Sequence, residues 1–199
     1  MAGMESYDAV VLAGGQARRM GGVDKPGRRV GGLTLLERVV RAVEDAGQVV
    51  VVGPDRPLPA RVDTLVREEP AGGGPVAALA VGVREVQAPV TVVLAADLPF
   101  LDRTTVDLLR ALLARGPDLA LATDAAGRDQ YLLAAWRTSA LRTALAAVGD
   151  PTGAPLRRLV QGVSVGRLTG DALGSAGGPA PWFDCDTDED VTRARRWAE

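Results

Sequence analysis

Short apolar runs alternate along this chain with segments of helical periodicity, and that alternation restricts its fold most. Tyr7–Ala13, Val49–Val52, Thr64–Val66, Val90–Ala96 and Leu119–Thr123 read as strands, most without polar residues at every second position. Strands of that kind are covered on both faces, which is the pattern of a parallel sheet. Between them, Leu33–Ala46 carries apolar residues at helical spacing and ends at Gly47, a favoured C-terminal stop. Gly74-Pro75 opens a second helix running to about Val86, and Arg103–Arg115 forms a third. The expected architecture is a three-layer α/β/α fold with a mostly parallel central sheet.

The second half is less regular. It offers a β run at Tyr131–Trp136, helices near Ser139–Val148 and Ala154–Val160, and a β run at Val163–Leu168. Thr169–Pro181 is rich in Gly, Ala, Pro and Ser and reads as a mobile loop. A last helix runs to Trp197, with Thr187 as its N-cap and Asp190 three residues on. At 199 residues the chain is expected to form a single domain. Its halves would be residues 7–125 and 126–199.

Composition narrows the chemistry. The chain has no histidine and one cysteine, Cys185. Triad hydrolysis, imidazole metal sites, internal disulfides and paired-thiol redox chemistry are therefore closed to it. An enzyme built from this sequence works with carboxylates, Arg, Lys, backbone amides and a hard metal ion such as Mg²⁺. Of the 23 Lys and Arg residues, Lys25 is the sole lysine, and the chain also lacks Ile and Asn. That bias marks a GC-rich gene and explains why Lys is scarce, but not why the survivor sits in a glycine-rich segment. The net charge of −2 argues against a dedicated nucleic-acid or membrane surface. No apolar run reaches the ~18–20 residues of a membrane span, and the first residues do not form a signal peptide. A cytoplasmic location is expected.

In doubly wound sheets, ligands bind beyond the carboxyl ends of the strands. Two segments fall there. The first is Leu12-Ala13-Gly14-Gly15-Gln16-Ala17-Arg18-Arg19-Met20-Gly21-Gly22-Val23-Asp24-Lys25. Its glycines let backbone N–H groups turn toward an anion, and its cations stand where phosphates would lie. Lys25 is followed by Pro26, so this is not a Walker loop, and the dinucleotide fingerprint is absent too. The second is Asp97, after the Val90–Ala96 run. Near the end, Asp184 and Asp186 lie one residue apart, so in an extended segment both side chains point the same way. They suit a shared cation and equally a helix cap. Cys185 between them has no flanking base and reads as a small buried residue.

The string LAGGxxxRMGGxDK resembles the signature of nucleotidyltransferases with a glycosyltransferase-A-like fold, and this version resembles the molybdenum-cofactor guanylyltransferases (MobA-like). The likeness continues through Gly32–Leu36, Glu69-Pro70, Gly74–Leu79, Ala96–Leu101 and Asp184–Asp190. It implies a Rossmann-like nucleotide-diphospho-sugar-transferase fold, with residues 7–125 binding nucleotide and 126–199 binding the acceptor. It implies GMP transfer from GTP to molybdopterin or Mo-molybdopterin, with Mg²⁺ as cofactor. Molybdopterin-transfer proteins and target enzymes follow as partners. On the matching positions, Leu12, Ala13, Gly14, Gly15, Arg19, Gly21, Gly22, Lys25, Glu69, Gly74 and Asp97 would bind the nucleotide. Lys25, Arg19 and Asp97 would carry catalysis. Asp97 with Asp184 or Asp186 would hold the metal. Gln130, Asp184 and Asp186 would meet the acceptor, with the Arg157-Arg158 pair as a further candidate. Two departures stand out: the closing motif has Asp where the family often has Asn, and Asp188 where it has Pro.

An acceptor phosphate is already an anion near neutral pH, so transfer to it needs positioning and charge neutralisation rather than a strong base. A histidine-free chain meets that requirement. CTP as donor, another small phosphorylated acceptor, and a non-catalytic nucleotide-binding or cofactor-carrier protein are the competing readings.

Overall fold

A computed structural model describes residues 4–14, 25–68, 71–170, 172–173 and 179–198. Its centre is a seven-stranded sheet of order β5-β4-β1-β6-β8-β7-β9. The strands are β1 (Tyr7–Leu12), β4 (Val49–Val52), β5 (Thr64–Val66), β6 (Val90–Ala95), β7 (Leu119–Thr123), β8 (Asp129–Arg137) and β9 (Val165–Leu168). Two short strands, β2 (Arg29–Val30) and β3 (Leu33–Thr34), pair separately as an antiparallel ribbon. In the main sheet β8 alone runs antiparallel to its neighbours β6 and β7; every other pairing is parallel. The sheet is thus mostly parallel, as the unalternated apolar runs require.

Among the described residues five helices complete the layers: α1 (Leu35–Ala42), α2 (Pro75–Glu85), α3 (Arg103–Leu113), α4 (Thr138–Val148) and α5 (Asp188–Trp197). Alternation along β1 shows how the core divides. Ala9 and Val11 pack with Leu36, Val39 and Val40 of α1 and Val106 and Leu109 of α3. Val10 and Leu12 pack with Val76, Leu79 and Val83 of α2 and Leu141 of α4. A smaller cluster joins α5, through Val191 and Ala194, to Val30, Leu35 and Cys185.

The expected Leu33–Ala46 helix is shorter at both ends. Leu33 and Thr34 pair with β2, and Thr34 then caps α1 in a reciprocal box with Glu37. The same device opens α5, where Thr187 and Asp190 cap one another as their spacing predicts. The expected Ala154–Val160 helix is only a 3₁₀ turn, Leu156–Arg158, between Pro155 and Gly162, whose φ of +75° stops helical propagation. Within Thr169–Pro181, residues 171 and 174–178 lie outside the described residues, and the rest forms neither helix nor strand.

Buried Asp8 ties the amino-terminal edge of the sheet together. It accepts from the backbone N–H groups of Gln48 (2.9 Å), Gln87 (2.7 Å) and Ala88 (2.9 Å), at the entrances to β4 and β6. Asp8→Ala leaves these donors without their acceptor and is expected to destabilise the fold by about 3 kcal/mol in denaturant titration, with Asp8→Asn recovering part of the loss.

Candidate functional site

At the opposite edge, the strand ends converge. Parallel pairing sets Leu12 between Val52 of β4 and Ala95 of β6, and the two ladders continue as Ala13 N–H donates to Val52 O (2.8 Å) and Ala96 N–H to Leu12 O (3.1 Å). Ala13, Gly14 and Asp97 therefore leave the sheet side by side. The amino terminus of α2 faces them, its N-cap Gly74 at φ +92°. The closing segment arrives from the far end of the chain, fixed by Cys185 N–H donating to Asp97 O at 3.2 Å.

These elements enclose two cavities that share Ala95, Asp97 and Leu132. One, of about 370 Å³, is lined by Leu12, Gly14, Glu68, Gly72, Gly74, Pro75 and Ala78. The other, of about 350 Å³, is lined by Asp129, Gln130, Tyr131, Leu156, Trp182, Asp184 and Asp186 among others. Between Leu121 and Ala122 the β7–β8 register slips, and Tyr131 and Leu132 lie in the slipped stretch that lines the cavities. Such irregularities re-aim side chains next to a site.

Lys25 is the cation at the junction. Its Nζ pairs with Asp97 Oδ2, and with Asp186 Oδ1 at 2.7 Å. Partial burial alone works against the charged ammonium, but the Asp97 and Asp186 carboxylates outweigh it and hold the Lys25 pKa above the ordinary lysine value. Asp97 Oδ1 is buried and has no hydrogen-bond partner among the described residues. Desolvation first, and then the Asp186 and Asp97 carboxylates, push the Asp184 carboxyl above the usual range, against a smaller opposing pull from Lys25. Carboxylate oxygens crowded in this way are the donor chemistry of a hard divalent cation.

Of the residues singled out from sequence, the structure brings Lys25, Asp97 and Asp186 into contact at the junction, places Asp184 and Gln130 in the lining of the second cavity, and places Leu12, Gly14 and Gly74 around the adjoining one. The Ala13 carbonyl accepts from Arg56 Nη2 at 2.7 Å, and the Ala13 N–H is used within the sheet. Gly15, Arg19, Gly21, Gly22 and Glu69 lie outside the described residues. Arg157 and Arg158 are exposed and line neither cavity.

Sequence reasoning missed three residues. Glu68, buried, accepts from Gly72 N–H (3.2 Å) and turns its carboxylate toward Gly14. Arg56 joins the turns after β1 and β4 through Ala13 O and Pro54 O. Trp182 lines the second cavity. Glu68, beside the chosen Glu69 at a strand exit, was the one with a usable signal; the positions of Arg56 and Trp182 depend on tertiary packing.

The fold and this strand-end junction define an α/β protein with a ligand site beyond the carboxyl ends of its parallel strands. A solved structure of molybdopterin-guanine dinucleotide biosynthesis protein A from Archaeoglobus fulgidus superimposes with a TM-score of 0.74 at 23% identity, over 95% of this chain and 97% of that one. The sequence matches the MobA-like NTP transferase domain over residues 9–168, and the chain belongs to that family. A molybdenum cofactor guanylyltransferase of Bradyrhizobium sp. (strain ORS 278) is 31% identical over 200 residues, covering 95% of this chain and 92% of the relative. A probable molybdenum cofactor guanylyltransferase of Mycobacterium avium (strain 104) is 36% identical over 147 residues, covering 69% and 73%.

Two outcomes follow from the electrostatics. Cys185 is fully buried, and burial followed by nearby carboxylates pushes its thiol up to about 12. It should resist thiol reagents at pH 8 in the native protein and react stoichiometrically once denatured. Asp184, whose folded pKa is raised, penalises the fold while ionised, and that penalty is relieved as pH falls through the raised value. Without added metal, Asp184→Asn should melt above the parent at pH 7, with the gap closing on acidification.

Proposed function

We propose that the chain is a guanylyltransferase that moves GMP from GTP to the phosphate of molybdopterin or Mo-molybdopterin, releasing pyrophosphate. The observation that carries this reading is the meeting of two cavities at Asp97, with Lys25 at the junction, in a member of the MobA-like NTP transferase family. Molybdenum cofactor guanylyltransferase relatives support the donor and the acceptor.

In this reading one domain is divided, with residues 7–125 receiving the nucleotide and 126–199 the acceptor. The base lies in the cavity at Leu12, Gly14, Glu68 and Gly74, where the Glu68 carboxylate accepts from the N1–H and 2-amino donors that distinguish guanine. Arg19 and the loop glycines Gly15, Gly21 and Gly22 serve the triphosphate, and Glu69 borders the nucleoside. The acceptor sits in the second cavity beside Gln130, Asp184 and Asp186. An acceptor phosphate oxygen attacks the α-phosphorus; the new P–O bond forms as the bond to the β-phosphate oxygen breaks, and pyrophosphate leaves with that electron pair. Lys25 moves from the carboxylates to the α-phosphate and offsets the charge that develops there.

Among the described residues no group of three His, Cys, Asp or Glu side chains is placed to hold a metal ion by itself, but a pair of carboxylates completed by water and phosphate oxygens would suit Mg²⁺, and one buried Asp97 oxygen lacks a partner among the described residues. Asp97 with Asp184 or Asp186 would hold the ion, which when bound supplies charge neutralisation to the triphosphate. A cytoplasmic site of action, between proteins that deliver molybdopterin and enzymes that take up the finished cofactor, accompanies this reading. Among the described residues no helix is long and apolar enough to cross a membrane.

The test presents the purified protein and molybdopterin with each nucleoside triphosphate and measures pyrophosphate release. GTP should be used and Mg²⁺ required. A strict preference for CTP would overturn the guanine assignment. Lys25→Ala and Asp97→Ala should remain folded and lose about 10³-fold or more in turnover; full activity in both would leave a nucleotide-binding or carrier protein.

A further inference from the structure

The second cavity is not uniform. Part of its lining is acidic, with Asp97, Asp184 and Asp186. Part is apolar, with Trp182 packed against the side of the core that holds α1 and α3, and Leu156 against the side that holds α2 and α4. The two side chains thus border the cavity from opposite faces of the sheet.

Trp182 is held in place. A Cβ on Gly170 would lie 2.7 Å from Cη2 of the indole and 3.3 Å from Cζ2, so the tip of the six-membered ring rests on bare backbone. Leu168 and Leu173 pack into the same part of the core. A large, flat side chain held in the lining of a cavity of about 350 Å³ is a surface for an equally flat ligand. An aliphatic phosphate gains little from it.

We propose that Trp182, seated on Gly170, selects acceptors made of a flat fused-ring heterocycle carrying a phosphate, with the ring against the indole and the phosphate directed to the Lys25–Asp97 junction. This rests on the reading of the second cavity as the acceptor site and adds the residue that sets acceptor class. Selection arises because the ring contributes binding only where the indole is fixed, while the phosphate end is common to all phosphorylated acceptors.

The test uses three variants of the full chain. Trp182→Leu removes the flat surface, Trp182→Phe keeps an aromatic face, and Gly170→Ala leaves every lining side chain in place but drives a methyl group into the indole. Binding of a probe, 2-amino-4-oxopteridine, is measured by titration calorimetry. KM is measured separately for GTP and for molybdopterin, and the GTP-induced melting shift reports the nucleotide cavity.

Trp182→Leu and Gly170→Ala should each weaken pterin binding and raise the acceptor KM by about tenfold, with Trp182→Phe within about threefold of the parent. The GTP KM and melting shift should not move in any variant. The proposal is overturned if Trp182→Leu binds the pterin as the parent does, or if it loses acceptor and GTP together, which is the signature of a structural role. A parent protein that transfers GMP equally well to a sugar phosphate also overturns it. A parent that binds pterin through Trp182 yet releases no pyrophosphate from any nucleotide refutes the transferase reading and leaves the ring site standing.

Discussion

The strand-end part of the site follows from the parallel pairing of β1 with β6. Both strands are buried on two faces, so neither tolerates a register slip without pushing apolar side chains out of both layers of the core. The fixed register brings Ala13-Gly14 and Asp97 out at one edge, although more than eighty residues separate them in the chain. Asp8 holds the opposite edge by binding the entrances of β4 and β6. With both ends fixed, the turns after the strands are free to carry polar groups while the sheet supplies their spacing.

The sequence showed the first half of the molecule well because buried parallel strands are continuous apolar runs, a signal independent of the partner strand. β8 was harder. Its residues read as a strand, but nothing in Asp129–Arg137 says that it inserts between β6 and β7 in the opposite direction, or that its register slips beside Leu121. The 3₁₀ turn at Leu156–Arg158 was mistaken for a helix because apolar spacing outweighed Pro155 and the left-handed Gly162. The Thr34 and Thr187 boxes behaved differently: Thr187 was legible because its carboxylate partner follows at the required spacing, while Thr34 was hidden inside an overlong apolar pattern.

The site was legible where chemistry is concentrated in one segment and opaque where it is assembled from several. Asp97 announces itself at a strand exit, and Lys25 as the sole lysine in a glycine-rich stretch. Trp182 could not be found this way. Its place depends on Gly170, on the packing of Leu168 and Leu173, and on a closing segment anchored by the Cys185–Asp97 backbone contact. Glu68 illustrates a finer limit: a carboxylate shortly after a strand carries no sign of its own that it turns toward Gly14.

The pairing of Lys25 with Asp97 and Asp186 also accounts for a lysine in a chain that writes its other cations as arginine. An ammonium is a compact charge with donors that rotate, so it can share itself between two carboxylates that are not coplanar. A guanidinium is planar and wider, and it pairs best edge-on with a single carboxylate, as Arg167 does with Asp129. Lys25 thus pairs with two acids at once, and in the proposed reaction its flexible stem would let it pass to an arriving phosphate. The closing motif favours the same arrangement: with Asp in place of amides at 184 and 186, the free site carries more negative charge than one cation removes. Burial first, and then the Asp186 and Asp97 carboxylates, raise the Asp184 pKa, and a divalent ion would relieve the carboxylate share.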